Sequence, residues 1–177
     1  MKKLLSILLV LTLVGCSKVN VSYDTSVDVM GDIWGRMNMD LPGFGGNLMD
    51  QHMDSPGEFK LDAEDAEAEL EAMYYVPVQV ISSLKDGATC VHLMNQNTFT
   101  SACFKVDNPK EVGEKIADKI RNANWMCGLP DKLVMMMGDT YVIYAFGAEE
   151  LVDSFKKTVE DAFMGTSKVL VDEYLAY

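Results

Sequence analysis

The chain has 177 residues, and its two histidines and four cysteines are the side chains best suited to nucleophilic or metal chemistry. Cys90 and His92 lie two apart in a β-rich run, so in a strand they share one face, and a thiol beside an imidazole is the raw material of a cysteine nucleophile. No nearby residue is placed to orient His92, and no catalytic residue is expected here. With Cys103 the same face offers two thiolates and an imidazole, a set suited to zinc or copper but lacking a fourth ligand. A second soft-ligand set is Met49, His52 and Met53, in a glycine-rich stretch that also holds Met37 and Met39, and its thioethers and imidazole suit Cu(I). The chain contains no Gly-rich phosphate loop, no Gly-x-Ser-x-Gly elbow and no His-Glu-x-x-His signature. These absences point to a non-enzymatic protein that needs no cofactor. A copper- or other metal-binding protein using the Met/His set or the Cys/His face is the alternative.

Cys16 has a different chemistry. Lys2 and Lys3 precede an apolar run from Leu4 to Val14, and Leu13-Val14-Gly15-Cys16 then matches a bacterial lipobox at all four positions. The run is too short to span a bilayer permanently, so residues 1–15 read as a lipoprotein signal peptide and Cys16 as the lipidated first residue of the mature chain. Two or more acyl chains hold a protein stably at a membrane. The expected location is therefore the extracytoplasmic face of the cell membrane. Loss of Lys2 and Lys3 takes the formal charge from −12 to −14, which excludes nucleic acid as a partner and leaves the membrane anchor, an envelope protein or a small ligand.

Proline and glycine at Pro42, Gly43, Gly45, Gly46, Pro56 and Gly57 mark residues 16–60 as a tether, interrupted by one short helix over Val27 to Met37. An α+β domain is expected over residues 61–177. It starts with an acidic helix over Asp62 to Glu71. Val76 to Leu84 reads either as a strand or, with Pro77 in a first turn, as a short helix. Thr89 to Met94 and Thr98 to Val106 form a hairpin. Asn108-Pro109-Lys110-Glu111 then starts a helix by N-cap, first-turn proline and capping-box glutamate. Leu133 to Met137 and Thr140 to Phe146 flank Gly138-Asp139, which suits a type II′ turn. A helix from Gly147 to Met164 stops at Gly165, and Val169 to Val171 adds a short edge strand. The expected core is a four-stranded antiparallel sheet in the order hairpin, helix, hairpin, helix, with both helices on one face.

Three cysteines remain in the mature domain beside Cys16. Taking Gln96-Asn97 as the two loop residues places Cys90 opposite Cys103 in a non-hydrogen-bonded pair, which a disulfide can bridge, and leaves Cys127 free. Phe104-Lys105-Val106-Asp107 leading into the Val112 to Ile120 helix, Asp131-Lys132-Leu133-Val134 and Gly138-Asp139-Thr140 running into Tyr141-Val142-Ile143 resemble segments of a group of small Bacillota lipoproteins that share a domain of unknown function. The acidic Leu70 to Tyr75 stretch fits the same group. The resemblance implies an anchored location and an α+β fold, and it carries over no catalytic residue.

Overall fold

A computed structural model of the chain describes residues 21–37, 41–125 and 128–175, so the leader with Cys16, Met39 and Cys127 lie outside the described residues. The elements in chain order are α1 (Ser26–Met37), β1 (Gly43–Asn47), β2 (Asp50–Met53), β3 (Gly57–Glu58), α2 (Ala66–Met73), α3 (Val78–Ile81), β4 (Asp86–His92), β5 (Phe99–Lys105), α4 (Pro109–Arg121), β6 (Lys132–Met137), β7 (Tyr141–Gly147), α5 (Glu149–Ala162) and β8 (Lys168–Tyr174). All strands belong to one sheet in the order β2-β1-β4-β5-β7-β6-β8, with β3 pairing β4 beside β1. Every pairing is antiparallel. The α+β class holds, but the sheet has eight strands rather than four.

Beyond the four core strands are β1, β2 and β3, from the stretch read as a tether, and β8, the edge strand expected over Val169 to Val171, which is seven residues long. Glycine misled the reading because here it permits close packing instead of flexibility. A Cβ on Gly45 would overlap the Gly57 nitrogen and the Thr89 carbonyl oxygen, and one on Gly43 would come within 2.7 Å of the Val91 carbonyl oxygen. The chain can therefore approach this closely at Gly43 and Gly45 only because those positions lack a Cβ, while Phe44 and Glu58 pair with β4 as ordinary strand residues. Helix α1 has the expected span, and its Val29, Met30 and Ile33 are fully buried in the core. The folded domain therefore begins well before residue 61.

The helices cover both faces of the sheet, which corrects the one-face arrangement. Helices α1 and α5 lie over Cys90, Cys103, Met136 and Ile143, whereas α2, α3 and α4 lie over Ala102, Phe104, Met135 and Tyr144. The reason is topological. The β5-α4-β6 connection crosses over β7, and the β7-α5-β8 connection crosses over β6 in the same lateral direction. Since β5 and β7 are antiparallel, two right-handed crossovers must put their helices on opposite faces. Central strands covered on both faces are apolar without strict alternation, as in Leu133-Val134-Met135-Met136, all fully buried.

Local chemistry explains the elements that follow expectation. Asn108 caps α4, its side-chain oxygen accepting from the Glu111 N–H at 3.4 Å, and Val112, Ile116, Ala117 and Ile120 form the buried face. Gly165, three residues past the end of α5, takes φ +72° and its N–H donates to the Glu160 carbonyl, which lets the chain turn away. The segment left open between strand and helix becomes α3, with Pro77 just before its first turn.

Both hairpins are shifted by two residues from the expected register, which preserves faces and changes partners. In the first, Cys90 pairs Ser101 and Cys103 pairs Ala88, because the connection runs from Leu93 to Thr98 instead of two residues. In the second, Met137 pairs Val142 and the Gly138 N–H donates to the Tyr141 carbonyl, so Asp139 and Thr140 form the loop. Gly138 serves packing: a Cβ there would lie 2.5 Å from the Phe163 ring.

Candidate functional site

The sites expected from sequence are dispersed by the fold. Cys90 and Cys103 are buried, free and diagonal on neighbouring strands, so the pairing expected across the hairpin is not present. Burial pushes the Cys90 thiol up to about 12 and raises Cys103 further, which disfavours the thiolate that a cysteine nucleophile needs. His92 is half-buried, and its Nδ1 accepts the N–H groups of Met94 and Asn95, both at 3.3 Å. Its ring secures the start of the β4–β5 loop. Met49 sits in the β1–β2 turn, and His52 and Met53 are consecutive on β2 and so face opposite sides. Among the described residues no three His, Cys, Asp or Glu side chains gather in a way that would hold a metal ion. Also among them, no helix is long and apolar enough to cross a membrane.

The acidic helix α2 has a partly structural use. Glu69 is buried and its Oε2 accepts the Leu48 N–H at 3.1 Å, holding the β1–β2 turn against the helix. Glu71 pairs with the Lys119 Nζ at 2.8 Å, and Lys119 also donates to the Val76 carbonyl at 3.3 Å.

That ion pair forms part of the wall of a cleft of about 880 Å³, lined by residues of α2, the β4–β5 loop and the segment after α4. Its aromatic wall is Tyr75 and Trp125, with ring centroids 4.7 Å apart and Phe146 packed behind both at 5.5 and 5.4 Å. Asn95, Gln96, Asn97, Asn122 and Asn124 add amides around the opening. Gln96 Nε2 donates to the Tyr75 hydroxyl at 3.3 Å, and the Asn97 side-chain amide donates to the Gly128 carbonyl.

Two locally unfavourable features meet in this wall. Tyr75 takes φ +55° at the end of α2, where the Val76 N–H returns to the Leu70 carbonyl; this left-handed position usually belongs to glycine. Such a conformation costs on the order of 1–3 kcal/mol and persists where the surroundings enforce it. The Trp125 indole N–H is buried and has no hydrogen-bond partner among the described residues, which costs about 1–3 kcal/mol more. Sequence reasoning missed both aromatics, since neither belongs to a periodic pattern. The available signal was a tyrosine, where glycine is usual, at the close of a helix, together with two amide-rich stretches flanking the hairpin and α4.

A scan against protein-family models finds no match, and no curated protein or solved structure matches the chain.

Proposed function

We propose that the chain is a lipid-anchored extracytoplasmic protein, held at the membrane through Cys16, that acts as a non-enzymatic binding module. The Leu13-Val14-Gly15-Cys16 lipobox supports the anchor, and kinship with the small Bacillota lipoproteins is part of the same reading. One observation carries the binding role: strained Tyr75 and Trp125, whose indole N–H has no partner among the described residues, are brought together in the wall of one amide-lined cleft. Costs stored at neighbouring residues point to a site.

The cleft chemistry selects the ligand class. Glu71 and Lys119 neutralise each other, so the wall offers no unpaired charge from that pair to a charged ligand. Each amide both donates and accepts, which matches hydroxyl and acetamido groups, and the rings offer a surface to a flat apolar face. A saccharide ring combines these features.

The test is titration of the full chain with tri-N-acetylglucosamine, read by calorimetry and by tryptophan fluorescence, with Trp34→Phe leaving Trp125 as the reporter. Saturable binding that Tyr75→Gly abolishes while the protein stays folded is the expected result. That substitution suits the left-handed backbone and removes the ring together with the hydroxyl that accepts from Gln96. Failure of this probe and of a panel of neutral oligosaccharides to bind would overturn the ligand class. Tight metal binding lost on replacing Met49, His52 and Met53 would favour the metal-binding alternative instead.

A further inference from the structure

We propose that the cleft opens at the pole of the domain opposite the lipid anchor, so that its ligand arrives from the aqueous side and not from the bilayer. The inference rests on the reading of Cys16 as lipidated and adds an orientation to it. Tyr23 is fixed to the fold: its hydroxyl donates to Asp32 Oδ2 at 2.6 Å, its carbonyl accepts from the Tyr141 hydroxyl at 2.9 Å, and its ring packs on Phe163 at 5.3 Å. Lys105 Nζ donates to the neighbouring Asp24 carbonyl at 2.7 Å. Val21 lies in the same region, in a hollow shared with Pro109, Thr140 and Lys168.

Three elements run from this pole to the cleft. Helix α4 begins at Pro109 beside Val21 and leads to Lys119 and Trp125 in the cleft wall. Strand β5 ends at Lys105 beside Asp24 and starts next to the β4–β5 loop that rims the cleft. Strand β7 starts at Tyr141 under Tyr23 and reaches Phe146 behind Tyr75 and Trp125. The 13 residues of α4 alone separate the two poles by about 20 Å. From Cys16 to Val21 the chain spans five Cα steps, at most about 18 Å when fully extended. The anchored pole therefore stays near the headgroups, and a mature chain of net negative charge is repelled by anionic lipid, which keeps the far pole away from the surface.

The experiment uses the full lipidated chain in vesicles of phosphatidylglycerol and phosphatidylcholine that contain a nitroxide-headgroup lipid. In a Cys127→Ser background one fluorophore is placed at Asp139→Cys in the β6–β7 turn and, in a second protein, at Met94→Cys on the cleft rim; both positions are exposed. Quenching several-fold stronger at position 139 than at position 94 is expected. Equal or reversed quenching, with the acyl mass present on the Cys16 peptide, would overturn the orientation alone. Absence of that acyl mass would overturn the anchor and the orientation together.

Discussion

The two flanks of the sheet are stabilised by different physics. On one side, β1 lies against β3 and β4 at Gly43, Gly45 and Gly57, positions with no room for a Cβ, so backbone sterics limit the register there. On the other, β8 lies along β6 under a set of charges. Lys132, almost completely buried, reaches Asp153 at 2.5 Å and Asp172 at 3.1 Å and lies over the Tyr174 ring, while Lys156 meets Asp172 at 2.8 Å. Arg121 of α4 holds Glu173 from the other face at 2.6 Å. A sheet edge can thus be specified by an absence of atoms or by a placement of charge, and the two should respond differently to substitution and to pH.

The largest effect is expected at the glycine flank. Gly45→Ala should cost about 3–5 kcal/mol in urea unfolding, since the added methyl meets backbone that cannot move aside. A loss below about 1 kcal/mol would show that β1 and β3 sit more loosely than the steric account requires. At the charged flank, Lys132→Met keeps the volume and removes the shared cation, for an expected loss of about 1.5–3 kcal/mol.

The pH response sharpens the contrast. Asp172 is held below the usual carboxylate range, first by hydrogen bonding from Lys156 and then from Lys132, against the opposing effect of burial. A depressed carboxylate contributes stability above its unfolded pKa of about 4, and that contribution is lost as pH falls through the folded value. Melting temperature should fall more steeply from pH 6 to pH 3 in the native chain than in Asp172→Asn. Equal slopes would show that the β8 flank draws nothing from this carboxylate. The smallest effect belongs to Glu173→Gln, about 0.5 kcal/mol, because its pair with Arg121 is a third exposed to water. That loss should vanish in high salt.

The contrast also explains what could be read in the sequence. Helix α4 was legible because Asn108, Pro109 and Glu111 carry capping chemistry in adjacent residues, and α5 because Phe155, Val159 and Ala162 repeat at helical spacing. Strands β4 to β7 were legible from β-branched and aromatic runs. Parity along each strand followed from hydrophobic pattern, but the pairing partner depends on the loop, and the six-residue connection after His92 and the ring of Phe163 over Gly138 are tertiary facts. The glycine flank was illegible because Gly and Pro punctuate a linker and a tightly crossed strand alike. The cleft was hidden for a related reason: Tyr75, Trp125 and the amides come from three separate segments and acquire meaning only when α2 and α4 lie over the same face of the sheet.

The packing of α1 on α5 has a kinetic consequence. Val29, Met30 and Ile33 reach full burial only with Val152, Phe155 and Val159, more than 110 residues later in the chain. Contacts so distant in sequence close late and slowly, because the entropy of a long loop must be overcome before they form. The first helix therefore has no finished surface to fold onto until the last helix has been made. Under the proposed export, such a chain would remain unfolded until α5 has been made, the state in which it would have to cross a membrane.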